Sequence, residues 1–245
     1  MKRFFRRHAT LWMLIGFCLL LGLFLSLRTG IFFTGRNLIN ILEANSFKLL
    51  LAIGMTFVIA SGGIDLSVGS ILSLSAIFTA LCMKQNIPVW LAILVGLLSG
   101  ILMGLINGAL IHFTGINAFI ITLGTSFLYR GLALIVTRGT PVSKLPAAYR
   151  AFGGGDIFQV ESGVYMALLV LLLSIPLLYK MRWGHYITTL GGNPVALRRC
   201  GVRTGAWRIS TFAVMGFLAA LAGIIISARL NSAEPNAGLN MEMDA

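Results

Sequence analysis

The sequence predicts an all-α, polytopic membrane protein with about seven membrane segments. Hydrophobic residues make up 58% of the chain and charged residues 11%, and the mean hydropathy is +0.92. A water-soluble domain has about a quarter charged residues, so this composition excludes one. The apolar residues are also gathered into runs long enough for membrane helices, with basic residues between them.

The first uncharged run, Thr10–Leu27, is long enough to cross a bilayer. The basic residues before it are Lys2, Arg3, Arg6 and Arg7. No small-residue cleavage site follows the run, which favours a retained helix with a cytoplasmic amino terminus. The next stretch, Arg28–Asn45, mixes polar and apolar residues and is predicted to lie along the outer membrane interface.

A glycine-rich turn with one carboxylate joins two further apolar runs, Leu49–Ala60 and Ile71–Met83. The turn, Ser61–Ser70, reads Ser-Gly-Gly-Ile-Asp-Leu-Ser-Val-Gly-Ser. Both runs are marginal in length for a span, so they are either two short helices or a broken, re-entrant pair. Two interpretations of Asp65 stay open. In the first, its carboxylate or the Ser67 hydroxyl caps the following helix. In the second, Asp65 lies in the path of a transported solute.

The next predicted span is Val89–Phe113, after a short outer loop. Glycine recurs in it every fourth residue, at Gly96, Gly100, Gly104 and Gly108. Such a ridge lets another helix approach closely, so the ladder predicts helix packing, with a gating hinge as the alternative.

The remaining predicted spans are Ala118–Val136, Val164–Tyr179 and Ile209–Ser227, with a loop at Arg138–Gly163. Polar groups inside spans seldom face lipid, which makes seven residues candidates for a solute path. They are Asp65, Ser67, Asn107, Asn117, Thr125, Ser126 and Arg130. For Arg130 the alternative is a guanidinium that reaches the outer surface along its own stem.

The distribution of charge predicts which side each loop faces. With a cytoplasmic amino terminus, the inner segments Met1–Thr10 and Lys180–Arg208 hold ten of the nineteen Lys and Arg residues and no Asp or Glu. The outer loops, including the residues after Ser227, are nearly balanced. The positive-inside rule therefore accounts for the net charge of +12, and binding to nucleic acid need not be invoked.

The inner segment Lys180–Arg208 carries local capping signals. Leu190–Pro194 is predicted to form a turn, Asn193 an N-cap, and Pro194 the first residue of a short helix that ends at Cys200 before Gly201. A topological anchor needs charges but no caps. This helix is therefore predicted to be a docking element for a cytosolic partner, with a simple basic tether as the alternative.

Signs of catalysis are absent from the sequence. There is no Walker-type phosphate loop, no paired carboxylates, and no His or Cys spacing typical of a metal site or a disulfide framework. We therefore expect no catalytic residue, no metal site and no cofactor in this chain.

Several motifs resemble those of the ribose-type permeases, the membrane subunits of bacterial ABC importers for monosaccharides and related small polyols. The most specific is Gly62–Ser70, and the Gly-Gly-Asn-Pro segment with its continuation to Arg203 is a second match. The further matches are Ile116–Gly124, Tyr129–Gly131 and Met241–Ala245. Family members are expected to continue beyond the position of Ala245, so the resemblance also implies that the C-terminal part of the family is missing here.

The resemblance implies a single permease domain over residues 1–245, in the bacterial inner membrane, with residues 180–208 as its coupling loop. ATP and Mg²⁺ would bind a separate ATPase subunit that grips this loop. The residues implied in that coupling are Gly191, Gly192, Asn193, Pro194, Arg198 and Arg199. A periplasmic sugar-binding protein and a second permease copy or paralogue are the other implied partners. The alternative is a secondary sugar transporter driven by an ion gradient, for which only Asp65 is a candidate coupling carboxylate.

Overall fold

The computed structural model describes residues 9–244, and its regular structure is almost entirely helical. The helices are α1 (Ala9–Thr29), α2 (Gly35–Ala60), α3 (Val68–Lys84), α4 (Val89–Thr114), α5 (Ala118–Thr137), α6 (Ala147–Gly154), α7 (Ser162–Tyr179), α8 (Arg182–Gly192), α9 (Pro194–Arg199), α10 (Thr204–Leu230) and α11 (Met241–Asp244). Two short antiparallel pairs join β1 (Val142–Ser143) to β4 (Ser232–Ala233) and β2 (Asp156–Ile157) to β3 (Val160–Glu161).

Within the described residues, six helices are long and apolar enough to cross a membrane: α1, α2, α4, α5, α7 and α10. The shorter apolar helix α3 follows the break after α2. These findings confirm the predicted all-α, polytopic membrane fold. The basic residues Lys2, Arg3, Arg6 and Arg7 lie outside the described residues, as does Ala245.

The chain divides into two compact units between Ala44 and Asn45. The first unit holds α1 and the turn that leads into α2. The prediction that Arg28–Asn45 lies along the membrane interface is wrong, because α2 runs unbroken from Gly35 to Ala60. No Gly or Pro occurs between Arg36 and Ile53. A helix satisfies its own backbone, so polar side chains alone do not end it.

In the second unit, α3 lies in the interior of the bundle. Every residue from Val68 to Ile77 is buried. By contrast, α4, α5 and α7 expose large apolar side chains such as Leu102, Phe127 and Leu172. These exposed faces suit contact with lipid, whereas α3 is enclosed by protein.

The glycine ladder of α4 packs mainly against α10. A Cβ at Gly100 would overlap Ala220 Cβ, and one at Gly104 would overlap the Phe212 carbonyl oxygen. A Cβ at Gly108 would lie 2.7 Å from Ile209 Cα. A Cβ at Gly96 would meet Thr79 of α3 instead. The absence of side chains therefore permits the close approach of these helices.

The segment Arg138–Gly163, predicted as a loop, contains α6 and three of the short strands. Tyr149 of α6 is fully buried, and its hydroxyl lies 2.6 Å from Ser227 Oγ and donates to the Ile224 carbonyl at 3.1 Å. Burial raises the pKa of Tyr149, so the phenol remains a hydrogen-bond donor. The sequence prediction missed α6 because Pro and Gly residues flank it.

The segment after α10, which the charge distribution assigns to the outer side, folds back onto α3. Gly238 N–H donates a hydrogen bond of 2.9 Å to Ser73 Oγ, and a Cβ at Gly69 would overlap the Gly238 carbonyl oxygen. Farther along, Asp244 Oδ2 lies 2.9 Å from Lys48 Nζ of α2. The last described residues therefore pack against the middle of α2 and the start of α3.

Candidate functional site

The turn between α2 and α3 places Asp65 inside the protein. The helix α2 ends at Ala60, and Gly62 adopts a left-handed conformation with φ +81°, which redirects the chain at little cost because glycine has no Cβ. Asp65 is fully buried, and its Oδ1 accepts hydrogen bonds from Ser67 N–H at 2.8 Å and Ser67 Oγ at 2.6 Å. The predicted side-chain cap is wrong, because Asp65 bonds the N-cap residue Ser67 and neither side chain accepts a backbone N–H of α3.

A chain of buried hydrogen bonds extends from this turn to α4 and α5. Asn107 Nδ2 donates to Ser67 Oγ at 2.7 Å, and the Tyr129 hydroxyl is shared between two acceptors, the Met103 carbonyl at 3.1 Å and Asn107 Oδ1 at 3.2 Å. Thr122 Oγ1 accepts from Leu66 N–H at 3.0 Å, which forms a second link to α5. We call the side chains of Asp65, Ser67, Asn107 and Tyr129 the polar core.

The polar core is closed to solvent in this conformation. Asp65, Ser67 and Asn107 have no exposed surface, and Tyr129 is 3% exposed. Asp65 Oδ2 is buried without a hydrogen-bond partner in the described part of the chain. An unpaired buried carboxylate oxygen is costly, so the turn retains Asp65 at an energetic cost that the hydrogen bonds to Oδ1 offset only partly.

The basic segment 180–208 forms a second candidate surface. Asn193 Oδ1 accepts a hydrogen bond of 2.9 Å from Ala196 N–H, and Pro194 begins α9. Gly201 has φ +78° after the helix, as the sequence pattern predicts. The predicted turn at Leu190–Pro194 is shorter than expected, because Leu190, Gly191 and Gly192 are the last residues of α8.

The helix α9 presents both apolar and basic groups. Val195 is 56% exposed, whereas Leu197 is buried and anchors the helix. Arg198 and Arg199, both exposed, form its last turn, where cations suit the helix dipole. This surface is suited to contact with another protein.

The basic segment touches the Asp65 turn directly. A Cβ at Gly62 would lie 3.1 Å from Gly191 Cα, and a Cβ at Gly191 would overlap the Ala60 carbonyl oxygen. The two backbones therefore meet through paired glycines. No side chain lies between the end of α8 and the turn at this contact.

Comparison with known proteins identifies the family. A family model described as branched-chain amino acid transport system / permease component matches residues 37–245. The chain belongs to this family.

Three relatives illustrate the similarity. The ribose import permease protein of Haemophilus influenzae is 37% identical over 218 residues, which cover 87% of this chain and 68% of that protein. The D-allose transport system permease protein of Escherichia coli is 34% identical over 240 residues, covering 98% and 73%. The autoinducer 2 import system permease protein of Yersinia pestis is 33% identical over 214 residues, covering 87% and 61%. No solved structure matches the chain.

Some of the path candidates of this permease component are brought together, and others are not. Asp65, Ser67 and Asn107 meet in the polar core. Thr125 and Ser126 lie nearby on α5 and are each 8% exposed. Arg130 is half-buried.

Asn117 lies apart from the polar core. Its side chain caps α5 by accepting from Phe119 N–H at 2.9 Å. It also lines a cavity of about 190 Å³ with Ser61, Gly63, Arg208 and Phe212. The cavity opens beside the Asp65 turn. The turn of this permease component therefore has polar groups near it in two places, the polar core and this cavity.

Sequence reasoning missed Thr122 and Tyr129 as members of the site. Both lie on the face of α5 that includes Thr125 and Ser126, since positions three and four apart share one side of a helix. A search for polar residues with this spacing inside a span would have found them.

Proposed function

We propose that this chain is the membrane-spanning subunit of a binding-protein-dependent ABC importer, in which a separate subunit hydrolyses ATP. The observation that carries the proposal is the contact between Gly191 and Gly62, which joins a capped, basic surface helix to the buried polar core. A transporter powered by a partner needs such a rigid link between its docking surface and its interior.

The proposed direction follows from charge. The basic segment 180–208 contains no acidic residue, which supports a cytoplasmic location in a bacterial inner membrane. The amino terminus then lies on the same side, and α9 faces the cytosol. In this orientation α9 is the docking element for the ATPase, and ATP and Mg²⁺ are bound there by the partner.

The proposed coupling proceeds from α9 to the polar core. Closure of the ATPase displaces α8 and α9, and the displacement passes through Gly191 to the turn at Gly62. The displacement of the turn then reaches α4 through the Ser67–Asn107 hydrogen bond and α5 through the Leu66–Thr122 hydrogen bond. A shift of these helices would change the side to which the solute path opens.

The proposed cargo is a monosaccharide or a similar small polyol. The relatives are named for ribose, D-allose and autoinducer 2, all small and rich in hydroxyl groups. Asp65, Asn107, Asn117, Thr125 and Arg130 supply the donors and acceptors that such a solute needs. A periplasmic sugar-binding protein would deliver the solute, and a second permease copy or paralogue would complete the path.

Reconstitution tests this proposal. The chain is placed in proteoliposomes with a candidate ATPase and a sugar-binding protein, and uptake of radiolabelled ribose is measured. We expect uptake that requires ATP and is unchanged when a protonophore collapses the proton gradient. Uptake that follows an imposed proton or sodium gradient without ATP would instead establish a secondary transporter.

A further inference from the structure

An open pocket of about 570 Å³ lies between the end of α4 and the start of α10. Its lining residues include His112 of α4, Arg198 of α9 and Arg203, with Thr204 and Gly205 beside them. A Cβ at Gly205 would overlap the His112 imidazole, so the glycine allows the ring to lie against the first turn of α10. Three nitrogen-bearing side chains thus line one cleft.

No acidic residue lines this pocket to balance its positive charge. The ion pairs Lys48–Asp244 and Arg229–Glu161 lie elsewhere. Arg203 precedes α10 as its N-cap residue and makes no side-chain capping hydrogen bond. The positive end of a 27-residue helix dipole therefore adds to the charge of the two arginines.

The pocket lies at the level where two membrane helices end. His112 is two residues from the end of α4, and Thr204 is the first residue of α10. Beside His112, Phe113 is 79% exposed, which leaves an apolar surface next to the basic one. Tyr186 and Trp207 pair with ring centroids 4.8 Å apart near the start of α10, as aromatic side chains do at headgroup depth.

We propose that this pocket binds the phosphate of an anionic phospholipid headgroup, with the acyl chain lying over Phe113. Arg198 and Arg203 would hold the phosphate by charge-assisted hydrogen bonds. A phospholipid carries both a phosphate for the cations and an acyl chain for the exposed Phe113 ring, so the combination of charges and Phe113 favours a lipid. Arg198 lies on α9, and the proposal assigns this one side chain to the lipid and leaves the exposed Val195 and Arg199 for contact with the ATPase.

Native mass spectrometry of the detergent-purified full chain tests the proposal, with phosphatidylglycerol and phosphatidylcholine supplied in equal amounts. We expect preferential retention of phosphatidylglycerol. Arg198→Gln and Arg203→Gln should each lower that retention about fivefold, and Arg198→Lys should restore most of it. The matched control is Arg199→Gln, which removes the same charge one residue away and outside the pocket.

Several outcomes overturn the proposal. Equal losses of phosphatidylglycerol retention in the Arg198→Gln and Arg199→Gln variants would show that the lipid responds to the general surface charge and not to this pocket. Displacement of the lipid by millimolar inorganic phosphate, with equal retention of both lipids, would show a site for a free anion. If Arg198→Gln and Arg203→Gln abolish co-purification of the ATPase while lipid retention is unchanged, the pocket is a protein contact. Melting temperatures measured alongside identify any variant that has failed to fold.

Discussion

The side-chain amide of Asn107 donates a hydrogen bond of 2.7 Å to Ser67 Oγ, although forty positions separate the two residues in the chain. Ser67 in turn donates to Asp65 Oδ1 at 2.6 Å. Asn107 thereby ties α4 to the break between α2 and α3. Because all three side chains are fully buried, water cannot replace any of these bonds.

Replacing Asn107 by Leu should destabilise the protein by about 1–3 kcal/mol, because Ser67 Oγ loses its buried donor without access to water, whereas the Tyr129 hydroxyl keeps the Met103 carbonyl as an acceptor. The melting temperature in detergent measures the effect. The control is Asn40→Leu, since Asn40 is exposed on α2. Equal changes in the two variants would show that the polar core contributes no specific stability.

Replacing Gly191 by Ala should separate the basic segment from the Asp65 turn, because the added Cβ overlaps the Ala60 carbonyl oxygen. We expect a loss of about 1–3 kcal/mol of stability and a fall in ATP-driven uptake. Gly192→Ala is the control for stability, since nothing lies within 4 Å of its added Cβ. A Gly191→Ala variant with unchanged melting temperature and uptake would refute the proposed link.

The position of the polar core could be predicted only in part. Asp65 and Ser67 stand out in the sequence because a carboxylate and a hydroxyl interrupt apolar runs, and Asn107 stands out as an amide inside a span. Their proximity depends on tertiary packing, which no local sequence pattern shows. Tyr129 was missed because a tyrosine in an apolar run is equally consistent with an ordinary residue of the hydrophobic core.

The prediction for Arg28–Asn45 failed for a different reason. Side-chain polarity suggested an interfacial segment, but the backbone of α2 contains no residue that stops a helix there. The cap at Asn193 was predictable because capping depends on residues within one turn. Local hydrogen bonding was therefore readable from the sequence, whereas the packing of distant segments was not.

The glycine ladder predicts that the stability of the protein depends strongly on the size of the residue at each ladder position. Gly104→Ala places a Cβ against the Phe212 carbonyl oxygen of α10, so the two helices must move apart. We expect a lower melting temperature, corresponding to about 1–3 kcal/mol. Gly124→Ala on α5 meets no atom within 4 Å and is the control. If Gly104→Ala instead keeps its melting temperature but loses uptake, the ladder acts as a hinge.

The cap of α9 predicts a separable effect on docking. Asn193→Ala removes the acceptor for Ala196 N–H and should destabilise α9 by about 1 kcal/mol. Because α9 is short and exposed, we expect weaker co-purification of the ATPase with little change in global melting temperature. Asn193→Asp keeps an acceptor and should retain binding. Equal binding by the Ala and Asp variants would mean that the cap does not shape the docking surface.

The ion pair between Lys48 and Asp244 predicts a rescue by charge exchange. Both side chains are partly exposed, at 36% and 45%, and their N–O distance is 2.9 Å. In a bilayer either charge alone lacks a partner, so Lys48→Asp and Asp244→Lys should each lower the melting temperature in nanodiscs. The double variant should recover part of that loss, since the pair is restored with reversed polarity. Additive losses in the double variant would show that the two residues do not interact in the membrane, and that the segment after α10 is held by Gly238 and Ser73 instead.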